Sequence, residues 1–181
     1  ELQSLKSIKS LNYRTLGRTG LRVSEIGFGA WAIGGTSYGP TRDEESLEAL
    51  ETAFEHGVNF FDTADTYGHG HSEELIAQFL KGKQGKAIIA TKAGWDFYHG
   101  GSKKNFDFDY IRFACEESLK RLQIETIDLY QLHNPSLAQI ESGALFGLFD
   151  ELKQAGKIRF YGVSVHTPSE ALAAIRSGKI D

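Results

Sequence analysis

Four residues whose side chains could share one proton-transfer chemistry follow one another along this chain: Asp62, Tyr67, Lys92 and His133. A phenol, with an ordinary pKa of about 10, can donate a proton to a carbonyl oxygen that is becoming an alkoxide. An ammonium beside it stabilises the phenolate left behind. Lys92 could supply that charge, and Asp62 could hold Lys92 ionised and oriented. His133 could hydrogen-bond the substrate oxygen and fix its angle. Such a device delivers a proton with no metal and no nucleophile. It needs a separate hydride source, which implies a nicotinamide.

Each residue alone has a plainer explanation. A strand-end Asp often caps the next turn, a Tyr packs its ring, a Lys is solvated, and a His sits satisfied in a core. Their placement on the expected elements argues for a shared role. Candidate strands are Ser24–Ala30, Asn59–Thr63, Ala87–Thr91, Ile127–Leu132 and Phe160–Val165. They are short, rich in β-branched and aromatic residues, and mostly lack polar alternation, as in a parallel sheet buried on both faces. Asp62, Lys92, His133 and Ser164 fall at the ends of the second to fifth strands, with Tyr67 in the loop after Asp62. Chemistry in α/β folds sits at the strands' carboxyl ends, so these groups share one rim.

Helix signals alternate with the strands, which recur every ~30–40 residues as a repeated βα unit requires. Thr41 and Glu44 suit a capping box ahead of Leu47, Leu50 and Phe54, with Gly57 closing the helix. Ser72 is expected to start the next helix, with Glu73 and Glu74 in its first turn. Asp109 is a candidate cap for a third, and Leu145 to Leu152 form the stripe of a fourth before Gly156. Thr167-Pro168-Ser169-Glu170 opens a fifth with another capping box. Ahead of all these, Asn12–Val23 reads as a β-hairpin with a glycine-containing turn.

The composition suits an ordinary globular chain: 181 residues, 40% hydrophobic and 24% charged. A net charge of -4 without a basic run argues against a nucleic-acid partner. No apolar stretch approaches the roughly 20 residues that cross a bilayer, so no membrane partner is expected. Residues 1–11 are expected to be a short extension with no secretory h-region. The single cysteine, Cys115, allows no internal disulfide and fits a reducing, cytoplasmic setting.

The segments around these residues resemble the aldo-keto reductase family. Asn59-Phe60-Phe61-Asp62-Thr63-Ala64-Asp65-Thr66-Tyr67-Gly68 is similar to the family's Asp and Tyr segment, and Thr91-Lys92-Ala93-Gly94 to its Lys segment. Ile127-Asp128-Leu129-Tyr130-Gln131-Leu132-His133 is similar to its His segment. Leu16–Ser24 resembles the opening hairpin, and Gly156–Ser164 the fifth βα unit. The resemblance implies an α/β fold, a (β/α)8 TIM barrel, occupying residues 12–181 and truncated on its C-terminal side after about five units of eight. It implies NAD(P)H-dependent reduction of aldehydes or ketones, with Asp62, Tyr67, Lys92 and His133 catalytic. Gly29, Ala30, Trp31, Asp62 and Ser164 are then expected at the cofactor. Trp31, Trp95, Tyr67 and His133 are expected to line the pocket of a small carbonyl substrate. Val165 stands where many members have Asn. NADP(H) is the cofactor that the resemblance favours, with NAD(H) as the alternative. The missing C-terminal part of the same chain is the expected partner.

Other readings stay open on the residues alone. Lys92 could form a Schiff base as in an aldolase. His69 and His71 could bind a metal. The chain could instead be a cofactor-binding regulatory subunit or an inactive fragment.

Overall fold

The computed structural model describes residues 11–83 and 85–181, so nearly all of the expected N-terminal extension lies outside the described residues. Strands β1 (Tyr13–Thr15) and β2 (Arg22–Ser24) pair antiparallel as the expected hairpin. Its turn holds Gly17 at φ +48°, and a Cβ there would collide with the Asp181 carbonyl oxygen. Glycine therefore serves both the backbone conformation and the close approach.

The chain then alternates: β3 (Phe28–Gly29), α1 (Asp43–Glu55), β4 (Phe60–Asp62), α2 (His71–Phe79) and β5 (Ile88–Ala93). A small antiparallel hairpin follows, β6 (Trp95–Asp96) with β7 (Lys103–Lys104). After it come α3 (Phe108–Leu122), β8 (Ile127–His133), α4 (Leu137–Ser142), α5 (Ala144–Gln154), β9 (Ile158–Ser164) and α6 (Pro168–Ser177). Five strands form one parallel sheet in the order β3-β4-β5-β8-β9. Each crossover moves one place along, as in a TIM barrel, and β3 and β9 stand at the edges.

The core lies between the sheet and the outer helices. Phe61, Leu75, Ile76, Ile111, Ile127 and Phe149 are fully buried in it. Residues Ile89 to Ala93 of β5 are all buried: Ile89, Ala90 and Ala93 are apolar, as a strand covered on both faces requires, and Thr91 and Lys92 are its buried polar members.

Several local expectations need correction. Ser24 belongs to β2, and only Phe28 and Gly29 of the expected Ser24–Ala30 strand join the sheet. Asn59 Oδ1 accepts the Ser24 backbone N–H at 2.7 Å, while Ser24 Oγ donates to the Ile26 carbonyl at 2.7 Å, and the chain bends there. The Thr41 capping box does not form. Arg42 occupies the N-cap, and Asp43, Glu44 and Glu45 meet the positive helix end instead. Helix α2 starts at His71, so Ser72 lies within it. In helix α3 the N-cap position falls to Asp107, without a side-chain capping bond, and Asp109 lies in the first turn. At α6 the expected box is present, with Thr167 and Glu170 bonding reciprocally. Beyond α6, the Asp181 N–H donates to the Tyr161 carbonyl at 3.0 Å, and the chain runs beside β9. No described helix is long and apolar enough to cross a membrane.

Candidate active site

The parallel register puts the polar rim together. Asp62 ends β4, and the Thr63 and Asp65 N–H groups continue the ladder to the carbonyls of Ala90 (2.8 Å) and Lys92 (3.1 Å). Lys92, on β5, is thereby level with the loop that carries Tyr67. Its side chain is buried, and its ammonium donates three hydrogen bonds. These go to Asp62 Oδ1 at 2.6 Å, the Thr63 carbonyl at 2.7 Å and the Tyr67 hydroxyl at 3.3 Å. The second Asp62 oxygen accepts from Gln131 Nε2 of β8 at 3.4 Å.

Tyr67 is held by its own backbone. Its N–H donates to the Ala64 carbonyl, and its carbonyl accepts the Ser72 N–H at the start of α2. The His133 ring meets the Tyr67 ring edge-on at 5.8 Å between centroids, and the Trp31 ring stacks with it at 6.1 Å. The four residues expected to act together do converge.

His133 is nearly buried, and its Nδ1 has no hydrogen-bond partner among the described residues. Burial pushes its pKa down to about 4, helped by the positive charge of Lys92 and by His166 and Lys104. The imidazole is therefore neutral at physiological pH, with one N–H donor and one acceptor nitrogen.

A cleft of about 470 Å³ opens beside these groups, lined by Trp31, Tyr67, Trp95, His133, Asn134 and Ser164 among others. Ser164 pairs with His133 in register, which puts its hydroxyl at the same rim. Gly29 pairs with Asp62, and both face a neighbouring depression next to Phe28 and Phe60. Ala30 is fully buried, with its N–H on the Asp62 carbonyl and its carbonyl accepting from Ser72 Oγ.

Asn134 and Lys104 escaped the sequence analysis. Asn134 follows His133 directly, with φ +60°, a conformation that Asn tolerates. It stands one residue past the strand end that carries His133, so the same position marks it. Lys104 has no such signal. It arrives on the β6–β7 hairpin, donating to the Asn134 carbonyl at 2.9 Å and lying 5.6 Å from the Trp95 ring centre. The two histidines considered for a metal part company. His69 stacks on Phe97 at 5.1 Å, while His71 bonds Asp43 at 2.8 Å.

Parallel βα units that present polar groups at their strands' carboxyl ends define an enzyme-type TIM-barrel architecture. The chain belongs to the aldo/keto reductase family, whose model matches residues 25–181. It is 41% identical over 157 residues to aldo-keto reductase YhdN of Bacillus subtilis (strain 168), covering 85% of this chain and 47% of that protein. Against L-galactose dehydrogenase of Arabidopsis thaliana the identity is 38% over 162 residues, covering 85% and 48%. The holo form of aldo-keto reductase AKR11C1 from Bacillus halodurans superposes with a TM-score of 0.82 at 34% identity. That match covers 94% of this chain and 55% of that one. The chain spans about half the length of the curated relatives it matches.

Proposed function

We propose that this chain provides the catalytic groups of an NADP(H)-dependent reductase of aldehydes and ketones, with Tyr67 as the general acid. The observation that carries this is the Lys92 ammonium, bonded at once to Asp62 and to the Tyr67 hydroxyl beside a cleft.

The donor set beside the cleft suits a nicotinamide. The Ser164 hydroxyl and the Asn134 amide are the groups that would hold its planar carboxamide, and Trp31 and Tyr67 offer ring faces. Asn134 also supplies an amide near the rim where Val165 cannot. When bound, the nicotinamide supplies hydride to the carbonyl carbon. The Tyr67 O–H bond breaks as its proton moves to the carbonyl oxygen, and the product is an alcohol. Lys92 stabilises the phenolate, and Asp62 keeps the ammonium in place. Neutral His133 can donate an N–H to the same oxygen without adding a second cation next to Lys92. Kinship supports the choice of NADP. An aldo-keto reductase from Klebsiella pneumoniae was solved in complex with NADPH, and Aldo-keto reductase yakc of Schizosaccharomyces pombe carries NADP(+) in its name.

The test is NADPH oxidation by the full-length protein with a panel of aldehydes and ketones, in EDTA. Turnover that persists in the chelator is expected. Binding of NADPH with no turnover of any carbonyl would overturn the proposal, and activity that returns only with zinc would reassign the histidines.

A further inference from the structure

A second buried ion pair lies on the opposite side of β5 from the catalytic groups. Successive side chains of a strand point to opposite faces, so Lys92 turns to Asp62 and Tyr67 and Thr91 to the helices. The Thr91 hydroxyl donates to Glu73 Oε1 at 2.6 Å, and Glu73 Oε2 accepts from Arg121 Nε of α3 at 2.7 Å. Thr91 and Glu73 are fully buried, and the Arg121 side chain is 13% exposed.

We propose that Glu73 and Arg121 are positioning residues that set the separation of Tyr67 and Lys92 from behind the sheet. The inference rests on the catalytic reading of those two groups. Glu73 stands in the first turn of α2, directly after Ser72. The Ser72 N–H holds the Tyr67 carbonyl at 3.2 Å, and its hydroxyl bonds the Ala30 carbonyl and Thr63 Oγ1. One carboxylate thus ties the segment carrying Tyr67 to the residue next to Lys92. Arg121 anchors that carboxylate to α3 and lies 5.6 Å from the Tyr98 ring centre. Gly70 makes room for it: φ is +96°, and a Cβ there would collide with Arg121 Cδ.

Stability alone is a poor reason for this pair. Two buried charges lose their hydration, and well-packed apolar residues in their place are often neutral or stabilising. Apolar contacts would not fix the register of α2 against β5, whereas directional bonds do. A nearby carboxyl does not compete for the guanidinium. Asp65 is buried with both oxygens unpartnered among the described residues. Its burial and the charge of Glu73 raise its pKa well above the usual carboxylate range, despite Arg121 and Lys92, so it favours the neutral form.

The experiment uses the full-length protein with two variants. Thr91→Val removes only the hydroxyl donor, and the double variant Glu73→Leu/Arg121→Met replaces the pair with apolar side chains. In both, kcat should fall about tenfold, the cost of a small misplacement. The carbonyl KM and the NADPH dissociation constant should hold, and the alkaline limb of kcat should move to higher pH. Wild-type kcat and pH profile in the folded variants would overturn the inference. If the double variant does not fold, Thr91→Val decides. A wild-type protein without reductase activity would defeat the proposed function instead. The positioning claim then stands or falls on a crystal structure of Thr91→Val, where an unchanged Lys92–Tyr67 contact would refute it.

Discussion

Two ion pairs of nearly equal length flank β5, yet their settings differ. Asp62–Lys92 measures 2.6 Å and opens onto the depression next to Phe28 and Phe60 through Asp62, whose side chain is 35% exposed. Glu73–Arg121 measures 2.7 Å and is sealed, with no exposure of Glu73. The third partner separates them further. Lys92 also donates to Tyr67, a group that can lose its proton in a reaction, whereas Glu73 accepts from Thr91, an aliphatic hydroxyl that stays protonated. The length of an ion pair therefore says little about its role. What it touches next, and whether water and substrate reach it, says more.

Breaking each pair should expose that difference. Lys92→Met should lower kcat by about 10²–10⁴-fold, the usual worth of assisted proton transfer, in steady-state assays. It should leave the fold largely intact, because the Asp62 side chain is 35% exposed and can be solvated. Arg121→Met leaves Glu73 charged and sealed, and should destabilise the protein by about 3–5 kcal/mol in denaturant unfolding. Equal stability losses in the two variants would erase the distinction.

A smaller effect comes from His133, which sharpens the contrast between neutral and charged groups at the cleft. Its pKa in the fold is pushed down to about 4 from 6.5. The unfolded chain binds the proton more readily, so the contribution is fully present above pH 6.5 and is lost as pH falls towards 4. It amounts to on the order of 3 kcal/mol. Asp65 works in the opposite sense, since its raised pKa favours the fold at lower pH. The difference between wild type and His133→Gln in thermal unfolding against pH isolates the histidine. A flat difference curve between pH 4 and 6.5 would contradict its buried, neutral state.

The front of β5 was legible in the sequence, and the back was not. Asp62, Lys92 and His133 end short apolar runs, and parallel register alone brings such ends together. Tyr67 follows because its loop is short. Glu73 looked like an ordinary acid at a helix start, since its partner Arg121 lies 48 residues away and nothing local marks the contact. Helix ends were mixed for a related reason. Thr167 and Glu170 form their box, while Thr41 loses its place to a chain path set elsewhere. Ser136 and Gln139 of α4 also form a capping box, a pattern that the same rule could have found. The strand expected at Ser24–Ala30 was broken by Asn59, a tertiary partner that local propensity does not include.

The most direct test of the central claim is Tyr67→Phe in the full-length protein, with NADPH binding and single-turnover carbonyl reduction measured side by side. The ring remains to stack against Trp31, and the variant removes only the hydroxyl, which is both the proton donor and the acceptor of the Lys92 bond. Reduction should fall by about 10²–10⁴-fold while NADPH binds as in wild type. Near-normal reduction by the variant would contradict the role assigned to Tyr67.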